Sequence, residues 1–134
     1  MLDVSPSIRC ANSPDIAPPA GHYSHVCVAG GQIYISGQLP VTGQGVALTN
    51  ATFTEQAKQT LHNLDGCLST AGVGRCDLVQ VRIYVTDMRQ WPVFNRIYAE
   101  WIGSHRPARA VAGVSELHYG VAVEVEAVAL DKQR

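Results

Sequence analysis

The chain has 134 residues, 46% of them hydrophobic and 16% charged, which suits one hydrophobic core and is too short for two ordinary domains. A formal net charge of −1 without a Lys/Arg-rich run argues against nucleic acid as a partner, and no segment approaches the roughly 20 apolar residues of a membrane span. Cys10, Cys27, Cys67 and Cys76 have neither zinc spacing nor the density of a disulfide framework, so reduced thiols and a cytoplasmic protein are expected.

Residues 1–20 are rich in Pro, Ser, Asn and Asp and read as an irregular leader, with a single domain over 21–134. Ser24–Ala29 and Gln32–Leu39, separated by Gly30-Gly31, form a predicted hairpin with a two-glycine turn. Pro40 ends its second strand, and the loop "VTGQGVALTNA" follows, with room for a short strand at Val46–Leu48. Thr52-x-x-Glu55 is a capping box. Ala57, Leu61, Leu64, Leu68 and Ala71 then fall on one helical stripe that Gly72 stops.

"DLVQVRIYVTD" alternates, with Val79, Val81, Ile83 and Val85 on one side, as a half-buried strand requires. Pro92 sits in the first turn of a second helix, whose Trp91, Phe94, Ile97, Tyr98 and Trp101 follow the helical period to Gly103. Arg109–Val114 and Val121–Leu130 are the last two strands, separated by "SELHYG". The order is ββαβαββ, an α+β sheet with both helices on one face.

In the last strand Val121, Val123, Val125, Ala127 and Ala129 point towards the helices, and Glu124 and Glu126 point away. Arg82, Tyr84, Tyr34, Ser36 and Gln38 share that second face. It is too polar for a core and too apolar for a plain solvent face, a composition suited to packing against copies of itself with clefts between them. Glu124 and Glu126 are then either ion-paired surface carboxylates or members of a site. Arg109, beside the small Ala110 and Ala112, either pairs at a strand end or grips a carboxylate through its planar fork. His22 and His25, or His105 and His118, match no metal-ligand spacing, and no metal is expected.

The segments "GHYSH", "YISGQLP", "YVTDM", "FNRIYAEW", "HRPAR" and "VEVEAVAL", in this order and spacing, resemble the RidA/YjgF/YER057c/UK114 family, and the likeness runs from Ala17 to Leu130. The resemblance implies a chorismate-mutase-like fold assembled as a homotrimer with active sites in the clefts between subunits. It also implies cofactor-independent hydrolysis of reactive 2-imino acids and enamines to 2-oxo acids and ammonia. Arg109 matches the family arginine that binds the substrate carboxylate, and Glu124 the carboxylate that holds or activates water. A general base needs that proximity, and partial burial tunes it. Tyr23, Ser36 and Asn95 resemble residues that line the family's substrate cleft, Gly37 allows close backbone approach, and Val111 and His118 are further substrate-binding candidates. Glu126 reads as structural. Arg109 and Glu124 lie on successive late strands, which favours one subunit supplying both.

The chain departs from the family pattern at His22, where the archetype has Pro. It departs again at Val111, which stands where the family has Cys, and at "LHYG" (117–120), where the family loop carries "LP". The Val111 change keeps the backbone N–H. His118 and Tyr119, if they reach the cleft, add a titratable group and change its volume. A housekeeping imine deaminase is therefore one expectation. A pathway-specific enzyme acting on another labile intermediate is a second, and a non-enzymatic trimer that captures small carboxylates a third. Without a basic groove or a nucleolytic pair of histidines, a ribonuclease is the least supported.

Overall fold

The computed structural model describes residues 7–132. Thr52 caps the first helix, α1 (Phe53–Thr70): its side chain accepts from the Glu55 N–H, and the Glu55 carboxylate accepts from the Thr52 N–H. This reciprocal arrangement satisfies two otherwise orphaned donors. The predicted stripe is the buried one, with Ala57, Leu61, Leu64 and Leu68 essentially inaccessible. Each of these leucines contributes about 1.5–3 kcal/mol by leaving water.

The hairpin forms as its residues dictate. β2 (Val26–Ala29) and β3 (Gln32–Gln38) are joined through Gly30 and Gly31, whose φ values of 59° and 80° are the two successive left-handed residues that a tight hairpin turn needs. β4 (Leu78–Val85), the second helix α2 (Trp91–Ile102), β5 (Ala108–Gly113) and β6 (Val123–Leu130) complete the predicted order. Only an isolated bridge between Val41 and Ala47 occupies the loop where a short strand had room.

One strand was not foreseen. Arg9–Ala11 forms β1, antiparallel to β2. Of the leader expected to be irregular, residues 1–6 lie outside the described residues; the remainder contributes both this edge strand and core packing. Ile16 and Ser13 are buried, and Ile16 packs where a Cβ on Gly66 of α1 would collide with it. Backbone pairing here overrides a composition that reads as loop.

The sheet runs β1-β2-β3-β6-β4-β5 and is antiparallel except for the parallel β4–β5 pair. Its helix-covered face carries Ile33, Ile35, Val81, Ile83, Val85, Val123, Val125, Ala127 and Ala129, packed with Phe94 and Tyr98 of α2. The two helices thus share one face, as expected. The other face bears cross-strand rows: Cys10, Cys27, Tyr34, Val128, Gln80 and Ala108 in one, Glu126, Arg82 and Ala110 in the next, Glu124, Tyr84 and Ala112 in a third. The Cys10 and Cys27 sulfurs approach to 2.8 Å as free thiols.

Two bulges alter the predicted alternation. The β4–β6 register shifts between Leu78 and Gln80, so Val79 is 46% exposed and Leu78 takes the core position. The β3–β6 register shifts between Ile35 and Gln38, so Gln38 is buried rather than placed on the polar face. An extra residue in one strand reverses the facing of everything beyond it. Among the described residues no helix is long and apolar enough to cross a membrane.

Candidate functional site

The bulge in β3 builds the site. Ser36 and Gly37 together oppose the stretch of β6 around Glu126, between the pairs Ile35–Ala127 and Gln38–Val125. This brings the backbone of Gly37 against Glu124, where a Cβ would drive straight into the carboxylate. Glycine is needed here for approach rather than for an unusual φ. Ser36 is tied down as Glu124 arrives: its hydroxyl donates to the Ser24 carbonyl at 2.6 Å and its N–H to the His25 carbonyl at 3.0 Å.

Glu124 and Gly37 line a cavity of about 620 Å³ together with Tyr23, Ser36, His118 and Tyr119. The leader contributes Ile16, Ala17 and Pro18, and the loop after β3 contributes Leu39, Val41 and Gly43–Gly45. The walls are thus mixed, with apolar surface on the leader and loop sides and polar groups at the sheet. Burial raises the pKa of Glu124 above its ordinary value, and the neighbouring Glu126 raises it further, while His118 pulls the other way. Desolvation and a like charge both disfavour the ionised form. Glu126 itself accepts a short hydrogen bond from the Tyr84 hydroxyl and stands opposite Arg82, in keeping with a structural role.

Two buried polar side chains that line this cavity, Asn63 and His25, were not foreseen as site residues, and Gln56 is buried on the same helix as Asn63. Asn63 of α1 donates to the carbonyls of Leu39 and Val41, at 2.9 Å each, and accepts from Gln59. Gln56 accepts from the Ala122 N–H at 2.8 Å and donates to the Ala51 carbonyl. A signal was present: Gln56, Thr60 and Asn63 interrupt the helix at i, i+4 and i+7, a buried polar stripe beside the leucine one. His25 is buried, accepts at Nδ1 from the Ser13 N–H at 2.9 Å, and its own N–H donates to Asn12. Burial pushes this imidazole below its ordinary pKa, opposed by a hydrogen bond to the Ala17 backbone. A neutral His25 thus fastens the leader over the cavity.

The other predicted residues form a second cluster. Arg109 donates from Nη1 to Asn95 Oδ1 at 2.9 Å, and its guanidinium lies 4.7 Å from the Trp91 ring centroid and 5.2 Å from that of Tyr98. Val111 packs partly buried against the core. Arg109 is registered with Val81, a core-facing residue, whereas Glu124 is registered with Tyr84 on the opposite face. Moreover β4 lies between β5 and β6. The late strands are therefore not neighbours, and within one chain Arg109 and Glu124 occupy opposite faces of the sheet. The expectation that one subunit supplies both to a single site is corrected by this topology. Tyr23, Ser36, Gly37, His118 and Glu124 are brought together; Arg109, Asn95 and Val111 stand apart from them.

Among the described residues no group of three or more His, Cys, Asp or Glu side chains is arranged to hold a metal ion. His105 instead contacts the Leu78 carbonyl through Nε2 at 2.8 Å.

Comparison with known proteins agrees with this architecture. The family profile described as Endoribonuclease L-PSP matches residues 14–131. The human protein named 2-iminobutanoate/2-iminopropanoate deaminase is 34% identical over 128 residues, covering 95% of this chain and 93% of that one. A Saccharomyces cerevisiae protein named MMF1, mitochondrial, is 32% identical across 90% of this chain and 83% of its own length. The crystal structure of RidA from an Antarctic Psychrobacter superposes with a TM-score of 0.84 at 31% identity, covering 91% of this chain and 99% of that chain. With the profile matched over residues 14–131 and relatives above 30% identical along nearly the whole chain, the chain belongs to the RidA family, the group whose profile is described as Endoribonuclease L-PSP.

Proposed function

We propose that this protein hydrolyses 2-imino acids and their enamine tautomers to 2-oxo acids and ammonia, without a cofactor, at sites shared between copies of the chain in a homotrimer. The observation that carries the reading is the half-buried Glu124 pressed against Gly37, its pKa raised by burial, in a cavity large enough for a small organic acid. Relatives named as imine deaminases support the reaction class.

The chemistry asks little of the protein. The imine carbon is already electrophilic. Glu124, as its carboxylate, takes a proton from a water that adds to the protonated imine carbon, giving a carbinolamine; Glu124 returns that proton to nitrogen and takes up the hydroxyl proton as the C–N bond breaks, ammonia leaves and the C=O forms. A base with a pKa lifted towards neutrality is better matched to this two-way transfer than an ordinary carboxylate. Ser36 and Tyr23 border the same space. Arg109 grips the substrate carboxylate, prepared by Asn95 and by two aromatic faces that hold its guanidinium in one plane. Since a single chain puts Arg109 and Glu124 on opposite faces of the sheet, the reading requires Arg109 of one copy to meet Glu124 of another. The exposed β5 edge, with Ala108, Ala110 and Ala112 uncovered, leaves space for such an approach.

The test is complementation. Glu124→Gln and Arg109→Ala chains, each purified alone, should lack activity on 2-imino acids generated in situ. Co-expressed in equal amounts they should regain about a quarter of the wild-type rate, because random assembly pairs an intact Arg109 with an intact Glu124 at about one site in four. Wild-type activity without recovery in the mixture would place both groups in one subunit's site. No activity in the wild type would end the hydrolase reading and leave capture of small carboxylates by Arg109.

A further inference from the structure

His118–Val121 forms a tight turn closed by the Val121 N–H on the His118 carbonyl at 3.4 Å. Its two central residues, Tyr119 (φ 63°, ψ 6°) and Gly120 (φ 72°), are both left-handed. Such a turn favours Asn-Gly or Gly-Gly, and a bulky aromatic at its first central position is strained. Tyr119 is the one residue other than glycine with positive φ among the described residues. Packing does not explain it: the side chain is 45% exposed and outside the core. Strain without a packing return points to a function.

The surroundings indicate which. Tyr119 lines the cavity that holds Glu124, and its ring rests on His118 with centroids 3.8 Å apart. Its carbonyl accepts from Thr49 Oγ1 at 2.8 Å, which fixes the turn to the loop across the cavity. Tyr23 lines the same space and is likewise exposed, at 48%. At about 620 Å³ the cavity lies in the range of sites that hold drug-sized organic molecules, larger than a three-carbon imino acid needs.

We propose that Tyr119, backed by His118, is a specificity-determining residue that stacks on an aromatic substrate side chain, so that the preferred substrates are aromatic 2-imino acids rather than 2-iminopropanoate. This rests on the hydrolase reading above and names its substrate class. Aromatic faces favour one another beyond the burial of area, and the turn places the Tyr119 ring beside the cavity before any ligand arrives, which lowers the ordering cost of binding.

The experiment compares kcat/KM for the imino acids generated in situ from phenylalanine and from alanine, in wild type, Tyr119→Gly and Tyr119→Phe. Glycine suits the turn, so loss of fold does not confuse the result. Wild type should prefer the aromatic substrate by about tenfold or more, Tyr119→Gly should remove about tenfold from that ratio, and Tyr119→Phe should keep it. A wild type that favours the small substrate, or a ratio that Tyr119→Gly leaves unchanged, overturns the proposal while leaving the hydrolase reading intact. If no imino acid is hydrolysed, the hydrolase reading fails. Calorimetric binding of phenylpyruvate against pyruvate to the same three proteins then decides the inference: tighter phenylpyruvate binding that Tyr119→Gly abolishes supports stacking, and equal binding sinks it.

Discussion

Glu124 and Gly37 act as a pair, and each makes a separate prediction. On the proposed mechanism, catalysis by the Glu124 carboxylate should fall as pH drops through its raised pKa, and the acid limb of the kcat/KM profile should lie above the ordinary carboxylate value of about 4.3. Glu124→Gln should lower kcat/KM by about a hundred- to ten-thousand-fold and erase that limb; a surviving limb at the same pH would assign it to another group. The same shift has the opposite sign for stability. A folded-state pKa raised above the unfolded one stabilises below the unfolded value and loses that contribution as pH rises through the folded one. At neutral pH the ionised Glu124 is therefore a cost, and Glu124→Gln should raise Tm there. Gly37→Ala pushes a methyl into the carboxylate, and a displacement of the base by about 1 Å should reduce kcat/KM by about a hundredfold. Circular dichroism should show an intact fold.

At the scale of elements, α1 does two jobs with two stripes. Its leucines hold the sheet, while Gln56 and Asn63 supply hydrogen bonds to loop backbone. Asn63→Ala removes the amide donor from both carbonyls; that of Leu39 keeps the Val41 N–H at 2.8 Å, while that of Val41 loses its side-chain donor, and the change should cost about 1–3 kcal/mol in denaturant unfolding. It should also raise KM, since the loop from Leu39 to Gly45 is a cavity wall. An unchanged midpoint would mean that water replaces the amide without loss. The capping box, the two-glycine turn and the leucine stripe were legible because each is a pattern within a few residues. The bulges in β3 and β4 were not, because a bulge is a property of two paired strands and neither sequence alone contains it.

For the whole molecule, the uncovered sheet face sets the expectation. Tyr34 and Leu130 are about half exposed on it, alongside Val128 and the Arg82, Glu124 and Glu126 rows. A face of this kind suits burial against further copies of the chain. On the proposed reading of a site shared between copies, Leu130→Glu combined with Tyr34→Glu should shift sedimentation velocity profiles towards the monomer and abolish activity together. An unchanged sedimentation coefficient would show that copies do not meet through this face.

Much of the protein was determined by sequence alone. Helix α1 and its cap, the hairpin and the apolar face of β6 follow from local periodicity and turn chemistry, and the family motifs name Glu124, Gly37, Ser36 and Tyr23, which line one cavity. The tertiary structure decided the rest. Arg9–Ala11 is a strand only because β2 offers an unpaired edge. Gln38 is buried only because β3 slips against β6. Arg109 and Glu124, close in sequence and similar in alternation, are separated because β4 inserts between their strands and registers them to opposite faces. Period and propensity act over a few residues, whereas the order of strands in a sheet is set by which distant segments pair.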